Sequence, residues 1–169
     1  MPPRFETSPI HQIRRADGVL KKIRVQDGHL FVRHGCCCGR VDKGFPPLPL
    51  DEFKRQWKAR GIRRRFHLTI SGCLGPCPLA NVVLIQFHGR SVWLHSISDA
   101  QDVDLIYDYV EQMLAAGHYV EPPSALASRH FQRYVVDTID QTRDEHRVGW
   151  AECANRPAMD ADRGVLLSD

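Results

Sequence analysis

Residues 71–81 read Ser-Gly-Cys-Leu-Gly-Pro-Cys-Pro-Leu-Ala-Asn, a run too rich in Gly and Pro to be helix. It joins two strand-like segments: residues 65–70, Arg-Phe-His-Leu-Thr-Ile, and residues 82–87, Val-Val-Leu-Ile-Gln-Phe. The second, a continuous apolar run, is expected to be buried on both faces. Cys73 and Cys77 stand in the loop with three residues between them. Two thiols held this way can grip one metal centre.

A second thiol group precedes it. Residues 29–33, His-Leu-Phe-Val-Arg, form a short apolar strand pattern that runs through His34 and Gly35 into Cys36, Cys37 and Cys38. If this strand neighbours residues 65–70, both groups emerge at one sheet edge, where open α/β sheets place their sites. Five thiols then converge, and a 2Fe-2S cluster needs four thiolates. In an extended loop residues i and i+2 point the same way, so the expected ligands are Cys36, Cys38, Cys73 and Cys77, with Cys37 least favoured. His34 can stand in for a thiolate, as histidines do at one iron of Rieske centres, although a His beside a strand end is more often a surface residue. Cys153 is alone in a polar tail and is read as functionless.

The remaining pattern frames these loops. Residues 20–25 are a candidate strand in a basic, Pro-containing N-terminal segment, and residues 40–50 are loop. A helix is expected from an Asp51 cap to a stop at Gly61, burying Phe53 and Trp57. Residues 91–97 form a further strand after a turn at His88 to Arg90. The clearest helix runs from a Ser98 cap, with Gln101 completing a capping box, through Val103, Ile106, Tyr107, Val110, Met113 and Leu114 to Gly117. Residues 125–136 are a weaker helix, and the chain beyond is polar. The order predicts a layered α/β domain. The expected division is an extension over 1–27, the domain over 28–120, and a partly helical, then disordered, extension over 121–169.

The 169 residues carry a net charge of +3 that hides an asymmetry. Residues 1–66 hold 16 Lys and Arg against 6 Asp and Glu, and residues 67–169 hold 7 against 14. The basic first half lacks the interleaved aromatics of a nucleic-acid stacking platform, which argues against nucleic acid and for an acidic protein partner or simple solvation. The longest apolar runs are short, and neither a signal peptide nor a membrane anchor is expected. The expected compartment is the cytoplasm. There, grouped cysteines serve metals or redox chemistry rather than structural disulfides. No Ser/His/Asp set, phosphate loop or paired carboxylates point to a hydrolase or transferase, so the chain reads as a carrier rather than an enzyme.

The run Cys-Leu-Gly-Pro-Cys with Pro-Leu-Ala-Asn, the Val-Val-Leu-Ile strand, the Trp-bearing strand and the long amphipathic helix together resemble the thioredoxin-like 2Fe-2S ferredoxins. The resemblance covers roughly residues 28–118. It implies a thioredoxin-like fold with a small mixed four-stranded sheet and flanking helices, one 2Fe-2S cluster, single-electron transfer to a redox protein partner, and a homodimer as one option. Cys73 and Cys77 match the family's second pair. At the first pair the chain departs: where the family usually has a cysteine directly after strand one, Arg33 stands, followed by three adjacent cysteines. A fainter likeness is to accessory proteins of aerobic cobalamin and cobalt-chelation pathways. Two other classes use the same cysteines. A zinc module would close a tetrahedral site with four of them, and a thiol-disulfide protein would cycle Cys73 and Cys77. The latter fits least, because such enzymes place two cysteines two apart at a helix N-terminus.

Overall fold

In the computed structural model residues 8–134 are described, and Cys153 and residues 135–136 of the expected last helix lie outside them. Two antiparallel strands come first, β1 (Ile10–Arg14) and β2 (Leu20–Arg24), with Ile10 opposite Arg24. Every residue of this hairpin is exposed. The expected strand at 20–25 is thus real, with a partner the weak pattern of residues 10–14 did not announce.

The main sheet contains β3 (Gly28–Arg33), β4 (Phe66–Ser71), β5 (Val83–Phe87), β6 (Arg90–Leu94) and the two-residue β7 (His130–Phe131), in the order β4-β3-β5-β6-β7. β3 and β4 are parallel, and the other pairs are antiparallel. A parallel pair needs a crossover. It is supplied by helix α1 (Leu50–Ala59) and a 3₁₀ turn at Ile62–Arg64. β5 and β6 join through His88 and Gly89, both at positive φ as a tight hairpin turn requires. The four central strands, taken as second, first, third and fourth of the unit, have the arrangement of a thioredoxin-like sheet. The expected four strands become five because β7 pairs with β6. It follows helix α3 (Ser124–Ala127), a single turn where a longer helix was expected.

Strand alternation gives the sheet two unlike faces. Leu30, Val32, Phe66, Val83, Ile85, Phe87, Val92 and Leu94 face the helices and form the main core with Phe53, Ile62 and the buried stripe of helix α2 (Ala100–Ala116). As expected for β5, Val83, Leu84 and Ile85 are all buried. The other face carries Phe31, Leu84, Trp93 and Phe131, and against it pack Val82, Ala80, Leu74 and Cys38. The two cysteine-bearing segments therefore lie on the face the helices leave open.

Both long helices are capped at residues other than those expected, two positions earlier in α1 and one later in α2. Pro49 occupies the cap position of α1, which puts Asp51 in the first turn. Asp99 caps α2 by accepting from the Asp102 N–H, while the Asp102 carboxylate accepts from the Ser98 N–H. Asp99 and Asp102 thus take the place of the box expected at Ser98 and Gln101, and the buried Asp102 is also paired with Arg129. Tyr107 then ties α2 to α1, donating its buried hydroxyl to the Phe53 carbonyl at 2.8 Å. No helix among the described residues is long and apolar enough to cross a membrane.

Candidate metal centre

β3 and β4 end side by side, with Arg33 opposite Ser71. His34 N–H donates to the Ser71 carbonyl at 2.9 Å, carrying the pairing past the strand ends. Each chain then enters a cysteine segment, so the two groups meet at one edge as expected.

The first segment is a turn rather than an extended loop. Gly35 and Cys38 form an isolated antiparallel bridge, with Gly35 N–H donating to the Cys38 carbonyl at 3.1 Å. Cys36 and Cys37 are the two residues at its tip. Gly35 at φ +87° and Cys36 at φ +54° reverse the chain there. Strict i, i+2 alternation requires extended backbone, and the reversal breaks it. Cys38 returns to the sheet, fully buried, where its Sγ accepts from the Val82 N–H at 3.4 Å. Cys36 and Cys37 project together with their Sγ atoms 3.9 Å apart.

The second segment brings its thiols to the same place. A 3₁₀ turn at Cys77–Leu79 follows Gly75, whose φ of +112° favours glycine; Arg133 Nη2 lies 2.6 Å from where a Cβ would stand. The sulfurs of Cys36, Cys37 and Cys77 all lie within 4.8 Å of one another. Cys73 is not one of these three; it is linked to Cys77 through a shared donor, Arg33 Nη2. Three thiols thus converge directly, Cys36, Cys37 and Cys77, and Cys73 stands beside them across the Arg33 guanidinium. The structure brings Cys37, not Cys38, beside Cys77. His34 is exposed and is not one of the converging ligand atoms.

Beneath them lies Arg33. As the last residue of β3 it shares Phe31's side of the sheet, where the loop over residues 71–81 closes on it, and it is 0% exposed. Arg33 Nη2 donates to Cys73 Sγ at 3.3 Å and to Cys77 Sγ at 3.1 Å. That donation holds the Cys77 thiol below its ordinary pKa against the opposing effect of desolvation, whereas desolvation pushes Cys37 up, aided by its neighbour Cys36. Arg33 Nε and Nη1 are buried with no hydrogen-bond partner. A buried cation without an anion costs several kcal/mol by rough estimate. A thiolate-bound metal centre supplies that anion, so the residues present fit one.

Asn81 holds the two segments together. Its Oδ1 accepts from the Gly39 N–H at 2.7 Å, just beyond the first cysteine group, and its Nδ2 donates to the carbonyls of Pro47 at 2.8 Å, Ile97 at 2.9 Å and Pro46 at 3.3 Å. Sequence reasoning passed over Asn81 and treated Arg33 only as a departure. The signal for both was the same: a strongly polar residue at the end of an otherwise apolar strand or loop.

No family profile and no curated protein matches this chain. Among solved structures it is similar to a thioredoxin-like 2Fe-2S ferredoxin from Aquifex aeolicus, at 22% identity and a TM-score of 0.43, covering 64% of this chain and 96% of that one. A 1.5 Å structure of the wild-type ferredoxin gives 21% identity, 64% and 100% coverage and a TM-score of 0.43. A cysteine-to-serine variant of it gives 20%, 63%, 99% and 0.41.

Proposed function

We propose that this chain is an electron carrier holding one 2Fe-2S cluster on the thiolates of Cys36, Cys37, Cys73 and Cys77. The observation that carries the reading is the meeting of the Cys36, Cys37 and Cys77 thiols from two loops, with Cys73 held beside Cys77 by the buried Arg33, whose Nε and Nη1 have no partner. When bound, such a cluster supplies reversible one-electron chemistry.

The chain's own residues do the rest. The Gly35 to Cys38 turn presents two adjacent thiols, the 71–81 loop presents the other two, and Asn81 fixes the spacing between them. Leu74 of that loop packs into the apolar cluster with Trp93 and Phe131 of the sheet, keeping water from the loop's inner side. Thiol-disulfide exchange is disfavoured, since Cys77 sits in a three-residue 3₁₀ turn rather than at the start of a long helix. We place the carrier in the cytoplasm, passing electrons to a redox protein whose acidic face complements the basic first half.

Anaerobic purification followed by a visible spectrum and iron, sulfide and zinc analysis tests the proposal. Two irons and two sulfides per chain are expected. A colourless protein with one zinc per chain and no sulfide would replace the carrier with a structural zinc module.

A further inference from the structure

Arg33 makes no ion pair with a carboxylate among the described residues. An arginine that only props up a fold has its N–H groups partnered, as Arg65 places Nε and Nη2 on the Asp27 carboxylate and Nη1 on the Leu114 carbonyl. Arg33 instead spends Nη2 on two sulfurs and leaves Nε and Nη1 enclosed and unbonded. Its backbone is paired with Ser71 of β4 on one side and donates to the Val82 carbonyl at 3.2 Å on the other, and its side chain is fully buried. The result is a permanent positive charge, shielded from solvent, at bonding distance from two of the four proposed ligands.

Resting on the four-thiolate reading, we infer that Arg33 is the potential-setting residue of the centre, a built-in counter-cation whose two N–H to sulfur contacts favour the reduced form over the oxidised one. A charge can shift an equilibrium only by interacting differently with its two states. The reduced form carries one more negative charge, and Arg33 therefore stabilises it more. In the step tested, one electron passes from a reduced viologen to the centre; the viologen is oxidised and the centre reduced. No bond in the protein forms or breaks, and Arg33, already protonated, takes up no proton.

The test compares the wild type with Arg33→Gln and Arg33→Lys, each purified without oxygen and assayed for iron and sulfide before its midpoint is measured against viologen mediators. Arg33→Gln keeps a donor and loses the charge. At the wild-type midpoint its ratio of reduced to oxidised protein should fall at least tenfold, equivalent to about 59 mV for one electron. Arg33→Lys, which keeps the charge and loses the planar fork, should fall less than Arg33→Gln. A fully loaded Arg33→Gln protein with an unchanged midpoint overturns the inference while leaving the carrier intact. A wild type without iron and sulfide removes both. Should neither variant load, the wild type still decides: grown on arginine labelled with ¹⁵N in the guanidinium and then reduced, it should show a ¹⁵N coupling in pulsed electron paramagnetic resonance. Absence of that coupling sinks the inference.

Discussion

Asn81 Oδ1 and the Gly39 backbone N–H are hydrogen-bonded at 2.7 Å, and this contact joins the two cysteine-bearing segments across 42 positions of chain. The same side chain satisfies three carbonyls with its amide. Asn81→Leu keeps the volume and removes all four bonds, leaving buried backbone groups unmatched. The expected cost is about 3 kcal/mol, read by urea denaturation, with severalfold less iron per chain. An Asn81→Leu protein as stable as the wild type would show the clamp to be incidental.

The thiols give a sharper outcome. Cys36→Ser, Cys37→Ser, Cys73→Ser and Cys77→Ser should each lower bound iron severalfold. Cys38→Ala should retain it and lose about 1 kcal/mol of stability through lost packing under Trp93. If Cys38→Ala empties the site and Cys37→Ser does not, the ligands are those of an extended loop, Cys36 and Cys38.

Asp27 links acid stability to the far end of the sheet. Arg65 grips its carboxylate with Nε at 2.7 Å and Nη2 at 2.8 Å, and His88 adds a contact at 3.3 Å. The Arg65 bond is the main cause that holds the Asp27 pKa below its usual 3.8, against desolvation. A depressed carboxyl pKa stabilises the fold above the unfolded value and ceases to do so as pH falls through the folded one. The contribution is therefore complete at pH 7 and fades only below about pH 4. Asp27→Asn should cost about 1 kcal/mol at neutral pH, a modest figure because water screens the pair. The gap to wild type, followed by denaturant titration, should narrow as pH drops from 4 to 2.5; a constant gap would remove the linkage.

What could be read from the chain alone follows the range of the forces involved. The loop over residues 71–81 was legible because Gly and Pro act locally, and the α2 stripe because burial imposes a period. The side on which Cys37 and Cys38 project was not, since it depends on Gly35 pairing with Cys38 and on Val82 lying beneath. Asp99 caps α2 in place of Ser98, and the Asp102 beside it is paired with Arg129, 27 residues downstream, a partner no local pattern contains. β7 escaped notice for a similar reason: two residues suffice when a finished strand edge is waiting.

The turn that carries Cys36 and Cys37 ends in an exposed sulfur, whereas Arg33 and the apolar residues lie behind it. Electron tunnelling weakens exponentially with distance, so an outlet of this kind is directional. For the proposed carrier, the exposed Cys36 and Cys73 are the shortest bridge to another molecule, and the sheet behind acts as insulation. On that reading a partner docked on the helix-covered side of the sheet would be within contact and still out of electronic reach.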